Sequence, residues 1–137
     1  MKLTVKEQIA KILRWINAAT DYFNCDQLCS GSYTSGTVTL SKSIANYKKL
    51  FIVARDNDGY RKTFVLINNG ASSIVTYLDF VRITGAWYAK SMLLSFNGKT
   101  VSIQYNCQAH ASGTGSGSYV YLEKIYGCRL IAGGGTA

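Results

Sequence analysis

From Val5 to Phe23 apolar side chains recur three and four residues apart, and beyond that stretch they recur every second residue between clusters of Gly, Ser, Asn and Asp. The change of period predicts one helix followed by strands and turns. Thr4-Val5-Lys6-Glu7 has the form of a capping box, which places the helix start at Val5. Val5, Ile9, Ile12, Ile16, Ala19 and Phe23 then occupy the a and d positions of a seam that meets partner helices. Lys6, Glu7, Lys11, Arg14, Asn17 and Asp21 lie elsewhere on the helix. The repeat covers fewer than three heptads, and Leu13, Trp15 and Tyr22 widen the apolar stripe beyond a two-helix seam. A stripe of this width fits either a three-helix bundle or a helix lying on its own β-domain. Isoleucine at both a and d favours trimers over dimers.

After the Gly- and Ser-rich segment 30–36, Thr37–Leu40 forms a short strand, and Lys48–Arg55 (KKLFIVAR) is a continuous apolar run expected of a central strand buried on both faces. Asp56-Asn57-Asp58-Gly59 is a hairpin turn by composition, so Arg61–Ile67 should pair antiparallel with that strand. Ile74–Ile83, Ala86–Phe96 and Lys99–Cys107 follow, punctuated by Thr84-Gly85 and by Asn97-Gly98, a strong hairpin signal. Val101, Ile103 and Tyr105 alternate with Ser102, Gln104 and Asn106, which predicts two faces for that strand. Ser112–Ser118 is expected as a flexible loop, and Tyr119–Leu130 as one long strand or a strand pair. The fold class is therefore mainly β: an antiparallel β-sandwich, jelly-roll-like, with one N-terminal amphipathic helix forming a trimeric bundle. The division expected is 1–24 for the oligomerisation and attachment helix, 25–36 for a linker, 37–131 for the head and 132–137 for a flexible tail.

Composition narrows the function more by exclusion than by assignment. With 137 residues, 47% of them hydrophobic and ten Tyr, the chain can bury a core. No apolar run reaches membrane-spanning length, and Lys6, Lys11 and Arg14 interrupt the first segment, so neither a signal peptide nor membrane insertion is expected. The net charge of +8 is scattered along the strands rather than interleaved with aromatics, the pattern of a solvated basic surface rather than a nucleic-acid site. Cys25, Cys29, Cys107 and Cys128 do not form a metal-ligand pattern with the single His110, and are expected as four reduced, small apolar residues, with Cys25 and Cys29 able to pair in an oxidising environment. No metal and no cofactor are implied.

Catalytic signatures fail on inspection. Gly98-Lys99-Thr100 lacks the earlier glycine of a phosphate loop, because that position is Leu93. Asp56–Gly59 lacks the later Glu of a calcium loop. Asp79 and Glu123 are the only strand acids outside that turn, and an interior-strand acid is more often paired with a cation such as Arg82 or Lys124 than used in glycoside cleavage. The protein is expected not to be an enzyme.

Gly31-Ser32, Gly36-Thr37-Val38-Thr39-Leu40-Ser41, Tyr47-Lys48-Lys49-Leu50-Phe51-Ile52 and the closing Glu123-Lys124-Ile125-Tyr126-Gly127 resemble the C-terminal β-domains of bacteriophage fibre and receptor-binding proteins, over roughly Gly31 to Leu130. The resemblance implies a virion structural protein, assembled in the host cytoplasm: a homotrimeric head fibre, tail fibre or capsid decoration held to capsid, tail or baseplate proteins. A carbohydrate-binding, lectin-like module without catalytic activity is the alternative. Trp87, Tyr88, Tyr119 and Tyr121 are its expected host or glycan contacts, and core or interface packing is the plainer role for the same aromatics. The virion contact is expected at the first helical turn and the host contact around Ser112–Tyr119.

Overall fold

The computed structural model describes residues 2–23, 25–84 and 86–130, without the side chains at 17–23, 84, 86, 129 and 130. The tail 132–137 therefore lies outside the described residues. Helix α1 (Val5–Phe23) precedes strands β1 (Cys25–Tyr33), β2 (Gly36–Thr39), β3 (Tyr47–Asp56), β4 (Arg61–Ile67), β5 (Ser73–Thr84), β6 (Ala86–Asn97), β7 (Thr100–His110), β8 (Gly113–Ser116) and β9 (Val120–Leu130). Two antiparallel sheets result. One has the order β1-β9-β3-β4, and the other the order β2-β7-β6-β5 with β8 also on β7. The protein is thus mainly β and sandwich-like, with one helix.

Inward-facing side chains of both sheets make a single core, in which Leu50, Ile52 and Ala54 of β3 meet Leu78, Met92, Leu94, Phe96, Leu122 and Ile125. The β3–β4 hairpin forms as its turn chemistry dictates, with Arg55 opposite Arg61 and Lys49 opposite Ile67. Gly98 adopts φ 57° in the β6–β7 turn, a conformation that Asn-Gly supplies at low cost. Gly127 has a different reason to be glycine: a Cβ there would stand 2.5 Å from the Tyr47 ring, which the core fully buries.

Several sequence expectations change in three dimensions. The proposed linker 25–36 is largely strand β1, because β9 offers it a partner edge from Cys25 opposite Cys128 to Tyr33 opposite Leu122. Of the loop Ser112–Ser118, residues Gly113–Ser116 are strand β8, paired with β7 from Cys107 opposite Ser116 to His110 opposite Gly113. β3 buries one face fully and the other by half, since Phe51, Val53 and Arg55 look outward. In β7 a register shift opposite Leu93 and Leu94 breaks the alternation. An irregularity of this kind moves the following side chains to the other face. Val101 stays inside, Tyr105 turns out and Asn106 turns in.

The cysteine expectation is also corrected. Cys25 and Cys128 are direct cross-strand partners with Cα atoms 4.3 Å apart, and they form a disulfide that closes 103 residues of chain. Cys29 and Cys107 are free. Burial pushes the Cys29 thiol up to about 11, against a smaller opposing effect of its backbone hydrogen bond with Ile125, so it behaves as a core residue.

Candidate functional site: the uncovered helix and the far end of the sandwich

The helix begins as its capping box requires. Glu7 N donates to Thr4 Oγ1 and Thr4 N donates to Glu7 Oε2, both at 3.2 Å. Every described side chain of α1 is exposed, so the alternative in which the helix lies on its own sandwich is not what these residues do. Val5, Ile9, Ile12 and Ile16 are all more than half exposed, and Trp15 reaches 75%. Ala19 and Phe23, the remaining seam positions, have side chains outside the described residues. Leu3, Gln8, Lys11, Ile12 and Trp15 border a groove of about 330 Å3 along this surface. Leaving this much aliphatic surface in water costs about 25 cal/mol per Å2.

Register places the two ends of the sandwich. Cys25 and Cys128, the β4–β5 connection and the β6–β7 turn lie at the end from which α1 departs. The 57–60 turn, the start of β6, the β7–β8 turn and the 117–119 loop gather at the opposite end, where Asp56 pairs with Val120 and Lys90 with Gln108. The Ser112–Tyr119 region therefore shares an end with the β3–β4 turn, remote from the helix.

That far end is held by a polar cluster. Lys90, 3% exposed, reaches across the sandwich to Asp58 and sits 3.6 Å from the buried Asp56 Oδ2. Asp56 Oδ1 accepts from the backbone N–H groups of Asp58 (3.0 Å) and Tyr60 (2.9 Å), shaping the turn. Arg82 donates to Asp58 at 2.7 Å and stacks on Tyr60. Lys90 foremost, and then Arg82, hold the Asp58 carboxyl below the usual carboxylate range. Nearby, the Asn106 side chain donates to Thr34 O and Val120 O and accepts from Tyr119 N and Val120 N, bolting β7 to the start of β9.

The aromatics expected to contact a glycan do not converge. Trp87 and Tyr88 are neighbours on β6 and face opposite sides: Trp87 sits on the outer face beside Ile83, and Tyr88 lies near His110 with ring centroids 6.0 Å apart. Tyr121 is on the outer face of the other sheet, covered by Arg55. Tyr119 lies against Gly117 at the far end, where a Cβ on that glycine would be 3.1 Å from its ring. The structure does bring Tyr77 and Tyr105 together on the outer face of β5–β7, with centroids 6.2 Å apart. A hydrogen bond with Tyr77, and then desolvation, pushes the Tyr105 phenol up to about 12, so it stays neutral. The strand carrying Tyr77 had the available signal: Val75, Tyr77, Val81 and Ile83 alternate with Ile74, Leu78 and Phe80, giving apolar residues at both parities.

The two strand acids are separated by the whole sandwich. Asp79 accepts from Ser91 Oγ at 2.6 Å on one outer face, and Glu123 is clamped by Arg55 and Arg61 on the other. Neither takes the cation expected from sequence, since Arg82 serves Asp58. His110 Nδ1 lies 2.6 Å from Ser112 Oγ within the β7–β8 turn, a local contact between residues two apart. Among the described residues, no three His, Cys, Asp or Glu side chains converge as a metal would require. The chain matches no known protein family and no curated protein.

Proposed function

We propose that this protein is a non-catalytic structural component of a bacteriophage virion, a homotrimer whose helices form a bundle and whose β-domains form the tip of a fibre or decoration. The observation that carries the reading is α1: a capped helix whose described side chains, Val5 to Ile16, are all exposed and include a wide aliphatic stripe. Isoleucine at a and d is the choice of trimeric bundles. The helix end faces the particle, with capsid, tail or baseplate proteins as partners. The opposite end, with the turns after β3 and β7, faces the host. A jelly-roll-like description of the head is supported by the return of β9 to lie between β1 and β3. Replacing Ile9 and Ile16 with Asp tests the bundle. Trimers of the unaltered chain should become monomers, because unpaired carboxylates do not bury, and an unchanged mass in sedimentation would refute the seam.

A lectin-like, carbohydrate-binding role is the second reading, favoured by Tyr88, His110, Ser112 and Tyr119 sharing the far end. Glycan-array binding lost on replacing Tyr88 and Tyr119 with Ala would support it. Binding retained by that double variant would remove these residues from the contact.

A further inference from the structure

The outer face of β5–β6–β7 presents Val75, Tyr77, Val81, Ile83, Trp87 and Tyr105, each between 43% and 79% exposed. Their exposed area is on the order of 700 Å2, close to the ~800 Å2 per partner of a standard interface. A single acid, Asp79, stands among them, and no Lys or Arg shares that face among its described residues. The free backbone edge of β5 is guarded where Lys62 Nζ donates to Asp79 O at 2.9 Å. A lysine at that position discourages edge-to-edge strand pairing. Association is thereby directed to the face.

The opposite outer face, on β3, β4 and β9, has the complementary character. Val65 and Ile67 are 56% and 61% exposed beside Phe51 and Tyr126, and Lys124 is exposed at its centre, opposite Val53. Its one acid, Glu123, is already held by Arg55 and Arg61. Apolar surface with one carboxylate on one side thus answers apolar surface with exposed cations on the other.

We infer that, in the assembled protein, the β5–β6–β7 face of one head docks on the β3–β4–β9 face of the next copy, with Asp79 opposite Lys124. This rests on the trimeric reading above, and three-fold geometry requires it to be heterologous: off the axis, a patch meets a different patch, and the set closes after three copies. Helix α1 joins at β1, one edge of its sheet. Bundled helices stand about 8–10 Å apart, whereas the sheets alone are stacked about 10 Å apart with side chains beyond. Heads tethered so closely meet through their broad faces.

The test uses the full chain with Asp79→Cys, Lys124→Cys and Cys107→Ser, oxidised mildly at a concentration where its mass is known. The two new thiols lie on opposite faces of one sandwich and cannot meet within a chain, because a disulfide needs Cβ atoms about 4 Å apart. Expected is a trimer that becomes covalently linked into twos and threes on non-reducing gels. A trimer that does not link overturns the head contact and leaves the bundle standing; a monomer overturns both. As a second measurement, a Trp15→Phe chain isolates the emission of Trp87, which should shift to the red when Ile9 and Ile16 are also replaced with Asp. An unchanged maximum overturns the inference.

Discussion

Ile52 on β3 and Ile12 on α1 are the same side chain in opposite circumstances, 1% exposed in one case and 56% in the other. Ile52 sits in a run whose alternate positions all meet a facing sheet of the same chain, so its burial is complete within a single copy. Ile12 belongs to a stripe with the correct period whose described side chains, from Val5 to Ile16, are exposed. On the trimeric reading, the difference marks where folding stops and association begins. The head should keep its fold when copies are separated, and the helix should not.

Changes to the head should therefore produce the largest effects. Removing the disulfide, by reduction or by replacing Cys25 and Cys128 with Ser, frees a closed segment of 103 residues. The chain-entropy account puts this at about 4–5 kcal/mol, read as a lower denaturation midpoint of the head. Next is Lys90→Met, which strands the buried Asp56 without its cation. Breaking one partner of a buried pair costs about 3–5 kcal/mol, and a midpoint within error of the unaltered chain would contradict the account of the far end. Asn106→Leu orphans Val120 N–H and the carbonyls of Thr34 and Val120, a loss of about 3 kcal/mol measured by urea unfolding.

Acid should have a smaller effect. Asp26 is held low first by the Tyr47 hydroxyl and then by Lys42, and Glu123 first by Arg61 and then by Arg55. A carboxyl depressed in the folded state contributes stability above its ordinary value of 3.8 or 4.5 and loses it as pH falls through the folded value. Thermal melts should thus be level from neutrality down to the ordinary carboxylate range and fall below it. A head that grows more stable there would reverse the sign.

Much of the fold was legible because period and turn chemistry act locally. Thr4 and Glu7 cap the helix, Asp56–Gly59 turns β3 into β4, and Asn97-Gly98 turns β6 into β7. What escaped depends on distant partners. Cys25 and Cys128 meet only because β9 returns between β1 and β3, and no local spacing encodes that return. β8 is strand because β7 has a free edge beside it, although glycine and serine alone favour a loop. Tyr105 lies outside because of one register shift, which a strict alternation cannot anticipate. At the candidate site, the apolar stripe that the helix exposes was visible in the pattern of isoleucines. The aromatic grouping was not, because Trp87 and Tyr88 are neighbours in sequence and face apart in the sheet.

The comparison between head and helix rests on what covers α1, and the absolute mass of the intact chain in solution addresses it most directly. Light scattering on the eluting protein at micromolar concentration should give three times the 15.0 kDa of one chain, falling to a single chain when Ile9 and Ile16 are replaced with Asp while the head still unfolds in one cooperative transition. A mass of one chain for the unaltered protein would contradict the account.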